Sequence, residues 1–140
     1  MKIAAIIAYL LTSAIGAAAE DTNSNAQITV ELNTIEPVET GCQATFLTTN
    51  EHKEDVEKIV FEAVLFDTEG AVVLLTLFDF GSIPAGRPRV RQFVIPQQDC
   101  DALGSILING VTTCSGADLT ASICEAGVVV LSRTDIELLG

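Results

Sequence analysis

The chain has 140 residues, 19 of them acidic against 7 basic, a single histidine and a formal net charge of -12. Such acidity excludes nucleic acid and anionic lipid surfaces as partners, because every phosphate approached would repel the protein. Hydrophobic residues make up 49% of the sequence and recur in strand-sized blocks, which excludes a disordered acidic tail.

The first nineteen residues, MKIAAIIAYLLTSAIGAAA, carry one lysine at position 2, an apolar run from Ile3 to Leu11 and small residues leading to Ala17-Ala18-Ala19. That order predicts a secretory signal peptide, residues 1–19, cleaved before Glu20. The unbroken apolar stretch is shorter than the ~20 residues of a spanning helix, and no insertion of the remaining chain into a membrane is expected. No cysteine follows the run to carry a lipid. The exported chain, residues 20–140, is long enough for one domain, and losing Lys2 takes its formal charge from -12 to -13. That charge favours a soluble monomer and leaves a basic protein as an acceptable partner.

After a polar leader, Glu20 to Asn25, the segment Ala26 to Leu32 (AQITVEL) alternates apolar and polar side chains as a half-buried strand does. Cys42 to Thr49 (CQATFLTT) repeats the pattern, with Cys42, Ala44 and Phe46 on one face. The charged run NEHKEDVEK that follows reads as a solvated loop. Two apolar runs flank Asp67-Thr68-Glu69-Gly70 in KIVFEAVLFDTEGAVVLLTLFDFG, which predicts a β-hairpin. Its second run is apolar at nearly every position, so both of its faces are expected to be covered. Ile83 to Gly86 reads as a turn. Val90 to Ile95, Ile106 to Val111 and Val128 to Leu139 supply further strands, the last stretch one or two of them, and no stretch reads as an amphipathic helix. About seven short strands at near-regular spacing predict an all-β immunoglobulin-like sandwich, without the tryptophan of antibody domains. Its expected core is Phe46, Phe61, Ala63, Leu65, Phe93 and Ile108.

Cys42, Cys100, Cys114 and Cys124 all follow the predicted cleavage site, and an even count in an exported domain predicts two disulfides. Zinc sites use close pairs with two to four intervening residues, whereas the nearest two cysteines here enclose nine. Of the three possible pairings we expect Cys114–Cys124, closing the polar loop SGADLTASI, and Cys42–Cys100, joining an early strand to the middle of the chain.

Taken together, the cysteine-bearing second strand, FEAVLFDTEG, LTLFDFGSIPAGRPRVRQFVIPQQDC, ILING and SRTDIELLG resemble a group of uncharacterised exported proteins of Gram-negative bacteria. Residues 26 to 112 are also similar to FxLYD-type immunoglobulin-like modules, in which a strand ending in D-x-x-G is followed by a Pro/Gly turn and a strand with a buried aromatic. The resemblance implies a fold and a periplasmic location. It carries no catalytic or ligand residues.

Catalytic chemistry is sparsely represented. His52 lies in the charged run and is expected in solvent rather than beside a nucleophile. Asp67-Thr68-Glu69-Gly70 opens like a calcium loop but lacks its later ligands, so a hairpin turn is the better reading. No phosphate loop, histidine-rich cluster or nucleophile elbow is present, and no catalytic, cofactor or metal residue is assigned. The expected role is a non-enzymatic module of the cell envelope, either structural or binding another envelope protein. The alternative is an enzyme or small-molecule binder with a site in the strand-end loops.

One stretch, GRPRVRQFVIPQQDC, places Arg87, Arg89 and Arg91 at alternate positions in an otherwise acidic chain. In an extended strand all three share a face with Phe93 and Ile95, so a bulge or twist near Arg91 or Gln92 is expected to switch the faces, with Pro88 favouring an edge or a strand start there. Two roles compete for the arginines: ion pairs with Glu62, Asp79 or another carboxylate of the same chain, and a contact for an anion or a carboxylate-bearing partner.

Overall fold

Alternating side chains in ITVELNTIEPV and GCQATFLTTN form the first hairpin, β1 (Ile28–Val38) and β2 (Gly41–Asn50), with every second residue buried along β2. The structure, a computed structural model, describes residues 26–140; the predicted signal peptide and the polar leader lie outside the described residues. β1 runs six residues beyond its expected end at Leu32, past an irregularity between Leu32 and Thr34. Pro37 is tolerated there because the partner on the other flank of β1 reaches only as far as Leu32, leaving an edge where no amide is required. Gly41 opens β2 at φ 155°, and a Cβ on it would lie 2.0 Å from the Ile95 carbonyl oxygen, so this turn closes only with glycine.

The predicted long hairpin is β3 (Val56–Asp67) and β4 (Val72–Ile83). Its turn is held by Asp67, whose Oδ1 accepts from the Glu69 and Ala71 amides at 2.9 and 2.8 Å, with Gly70 at φ 85°. The carboxylate is thus engaged by the backbone as a hairpin turn requires. β5 (Arg89–Pro96) follows, then a 3-10 turn at Cys100–Ala102 and β6 (Leu103–Ser115). The loop expected between Cys114 and Val128 contains a helix, α1 (Ala121–Ala126), started by Thr120, whose side chain accepts from the Ile123 amide. At six residues it is too short to show the periodicity by which a helix is read in sequence. The chain finishes with β7 (Val128–Ser132) and β8 (Glu137–Leu139), making eight strands among the described residues.

The strands form two four-stranded sheets, ordered β5-β2-β1-β7 and β4-β3-β6-β8. Antiparallel β2–β5 and β3–β6 pairs, one per sheet, reproduce the B–E and C–F pairs of immunoglobulin-type sandwiches. The last two strands depart from that scheme, since β7 joins β1 and β8 joins β6, both in parallel.

Between the sheets lies one hydrophobic core containing Phe46, Phe61, Ala63, Leu65 and Ile108, all buried. Phe93 corrects the expectation. It is only half-buried, packed on the core margin against Phe78 with ring centroids 4.4 Å apart, because β5 is an edge strand. The disulfides are Cys42–Cys100 and Cys114–Cys124. The first ties β2 of one sheet to the turn entering β6 of the other, and the second holds α1 onto β6. Such bonds persist in oxidising compartments, so the folded chain is of a non-cytoplasmic type. No helix among the described residues is long and apolar enough to cross a membrane.

Candidate interaction surface

β4 overturns the expectation that both faces of its apolar run are covered. It is the edge strand of the second sheet, and Val72, Leu75 and Leu77 are 61%, 58% and 57% exposed. Its inward residues are Leu74, Thr76, Phe78 and Phe80, the last two buried; Val73, Leu75 and Leu77 face outward. Leu75 is directly opposite Val64 of β3, Val64 opposite Leu107 of β6, and Leu107 opposite Leu139 of β8. One apolar row therefore crosses all four strands on the outer face of the second sheet. Residues directly opposite share a face and touch, which explains why Val64 is buried without any layer above it.

Polar groups bound this row. Glu62, opposite Leu77, accepts a hydrogen bond from Asn109 Nδ2. Further along, Lys58 Nζ lies 3.4 Å from Asp79 Oδ2. The Asp79 carboxyl is held below its ordinary range, first by the Gly81 amide, which donates to Oδ1 at 2.9 Å, and then by Lys58. The outer face of the first sheet is more polar. There Gln92 Nε2 donates to Thr45 Oγ1 at 3.2 Å, and Glu31 lies opposite Leu47.

The ion-pair role expected for the arginines does not match the geometry. Among the described residues the one ion pair is Lys58–Asp79, and neither Arg89 nor Arg91 reaches Glu62 or any other carboxylate. The register of β5 against β2 is continuous from Arg89 to Ile95, so the expected bulge is absent and Arg89 and Arg91 do share the inward side with Phe93 and Ile95. The conflict is resolved by position at the rim of the sandwich. Arg91 turns along the rim, where Nε donates to the Phe80 carbonyl at 2.5 Å and Nη2 to the Ser82 carbonyl at 2.9 Å. It thereby joins the edge strands of the two sheets, while its apolar stem covers the core margin. Arg89 Nη1 donates to the Pro88 carbonyl at 2.9 Å, and Arg87 is exposed in the preceding turn. Arg91→Ala is expected to cost about 1.5–3 kcal/mol, the range for hydrogen bonds to a charged group. Denaturant unfolding measures this, and a change below about 0.5 kcal/mol, the scale of ordinary surface substitutions, would show the lacing to be without effect.

Of NEHKEDVEK, expected as a solvated loop, only residues 51–55 form one, since Asn50 ends β2 and Val56 to Lys58 open β3; they are largely exposed, yet His52 is not simply solvated. Asn50, fully buried, donates to the Glu54 and Ile83 carbonyls and accepts from the His52 amide, which draws the imidazole inward. Among the described residues His52 Nε2 is buried and has no hydrogen-bond partner. No group of metal-ligating side chains occurs among the described residues. A cleft of about 780 Å³ opens at one end of the sandwich beside Pro37, Asp101 and Arg133. The nearby Ser132 hydroxyl donates to the Ile136 carbonyl at 2.6 Å. Compared with family models, with curated proteins and with solved structures, the chain matches none.

Proposed function

We propose that this protein is a non-enzymatic periplasmic module that binds another envelope protein on the outer face of its second sheet. The observation carrying this reading is the uncovered row Leu75–Val64–Leu107–Leu139, extended by Val73 and Leu77 and bounded by Glu62 and Asp79. Contiguous apolar patches on a polar surface are characteristic of protein interfaces. The net charge of -12 selects a partner whose apolar surface is bordered by lysine or arginine. Export is supported by the lysine-headed apolar run ending in Ala17-Ala18-Ala19 and by the two disulfides.

Affinity capture of the tagged protein from its native envelope tests the reading. A specific partner is expected with the natural sequence and is expected to be lost with Leu107→Lys/Leu139→Lys, a pair on the face that leaves the inward residues untouched. Circular dichroism of the variant checks that the fold is kept. Capture that survives this double substitution would move the interface elsewhere. An intact Met1 on the captured protein would reject the periplasmic location.

A further inference from the structure

The edge of β4 is a different surface from the face considered above, and it is unguarded. Edge strands expose unpaired amides and carbonyls that template pairing with another chain, and proteins ordinarily blunt them with proline or charge. β5, the edge of the first sheet, follows Pro88, carries Arg89 and Arg91 and ends at Pro96. On β4 the run Val72 to Phe78 reads VVLLTLF, with no proline and no charge. Arg91 covers the Phe80 and Ser82 carbonyls, but no loop or side chain of the described residues hydrogen-bonds the backbone of residues 72–78. The open stretch is thus the uncharged one.

We propose that two copies of this chain pair through β4, antiparallel about Leu75, to form one continuous eight-stranded sheet. Three features select a second copy as occupant. A two-fold interface must be self-complementary, and pairing about Leu75 sets Leu75 opposite Leu75 and Val73 opposite Leu77 on the solvent face. On the inner face Leu74 meets Thr76. The third feature is charge. In this register the hairpin turn of one copy, which carries Glu69, comes beside the far end of β4 in the other, near Gly81. There Arg91 Nη2 lies 3.9 Å from where a Gly81 Cβ would be; its three nitrogens donate to carbonyls, its charge is felt by Asp79, and among the described residues it makes no salt bridge. Two-fold symmetry supplies this Glu69–Arg91 approach twice. Repulsion between two acidic chains opposes association, but it is spread over the surface and screened beyond ~8 Å at physiological ionic strength.

The pairing rests on the edge and needs no envelope partner, so purified oxidised protein tests it. Sedimentation equilibrium is expected to show a dimer at about 10–100 μM. Leu75→Lys places two ammonium groups opposite one another on the axis, and is expected to weaken association at least tenfold without altering the circular dichroism. Leu75→Cys is expected to form an intermolecular disulfide, because its copies are adjacent on the axis. Val90→Cys on β5, 56% exposed against 58% for Leu75, is expected not to. A natural protein that stays monomeric at about 100 μM overturns the proposal, as do a dimer that survives Leu75→Lys and a cysteine link that forms equally through Val90. A monomer that still captures an envelope protein would reject this pairing alone, whereas a dimer that captures nothing would keep the pairing and reject the proposed function.

Discussion

Phe80→Ala is expected to lower the unfolding free energy by about 4 kcal/mol, within the range measured for removing a buried aromatic ring. The ring is fully buried and lies between both sheets, with centroids 5.1 Å from Phe61, 5.5 Å from Phe46 and 5.2 Å from Phe93. Alanine would leave a cavity bordered by three rings, and each lost aromatic pair adds about 0.5–1.5 kcal/mol beyond the area term, only partly recovered as neighbours relax. Small domains have stabilities of about 5–15 kcal/mol, so this one change removes a large share. Denaturant unfolding gives the value as a shift of midpoint at constant slope. A loss below about 1.5 kcal/mol would mean that the four phenylalanines are not packed as described.

Replacing Cys42 and Cys100 together by alanine is expected to cost about 4 kcal/mol, more than the roughly 2.7 kcal/mol for the Cys114–Cys124 pair. In the chain-entropy view the difference comes from loop size, since the first bond spans 58 residues of sequence and the second 10. Geometry points the same way. Cys42–Cys100 joins the two sheets, whereas Cys114–Cys124 holds a six-residue helix to the strand just before it. Unfolding of both double variants beside the natural protein measures the order of the two effects. Equal losses, or the reverse order, would show that unfolded-state structure or local packing outweighs loop entropy here.

Much of the architecture was legible in the residues. Alternation located β2 and β3, the D-T-E-G turn located the hairpin, and the cysteine spacing led to the pairing found. The apolar face of the second sheet was not legible, for a specific reason. Phe66 pairs with Val72 but Leu65 pairs with Leu74, so the hairpin contains a register shift at Val73. A regular ladder continued from Phe66–Val72 would turn Leu74, Thr76 and Phe78 outward, and the shift exchanges the two sets. In an almost uniformly apolar run no contrast between neighbours betrays a one-residue slip. Glu62 held the available clue: it was expected outward, and its cross-strand neighbour Leu77 must share its face.

The arginines failed for another reason. Arg89 and Arg91 do share a face of β5 while Arg87 precedes the strand, but a shared face at a sheet edge need not be a shared burial. Whether Arg91 meets a carboxylate or a carbonyl depends on which strand of the opposing sheet lies alongside β5, a relation set by the whole topology.

Parallel pairing of β1 with β7 also bears on how fast the native state is reached. Ile28 aligns with Val128, 100 positions later, and every rung of that ladder closes a loop of nearly the same length. Local hairpins such as β1–β2 and β3–β4 can form within microseconds, but the first sheet is complete only when the two ends of the described chain meet. High contact order of this kind places all-β sandwiches among domains that fold in milliseconds to seconds. Until β7 arrives, the Ile28–Leu32 side of β1 is itself an open edge, so the vulnerable interval of this chain lies before its last strands dock.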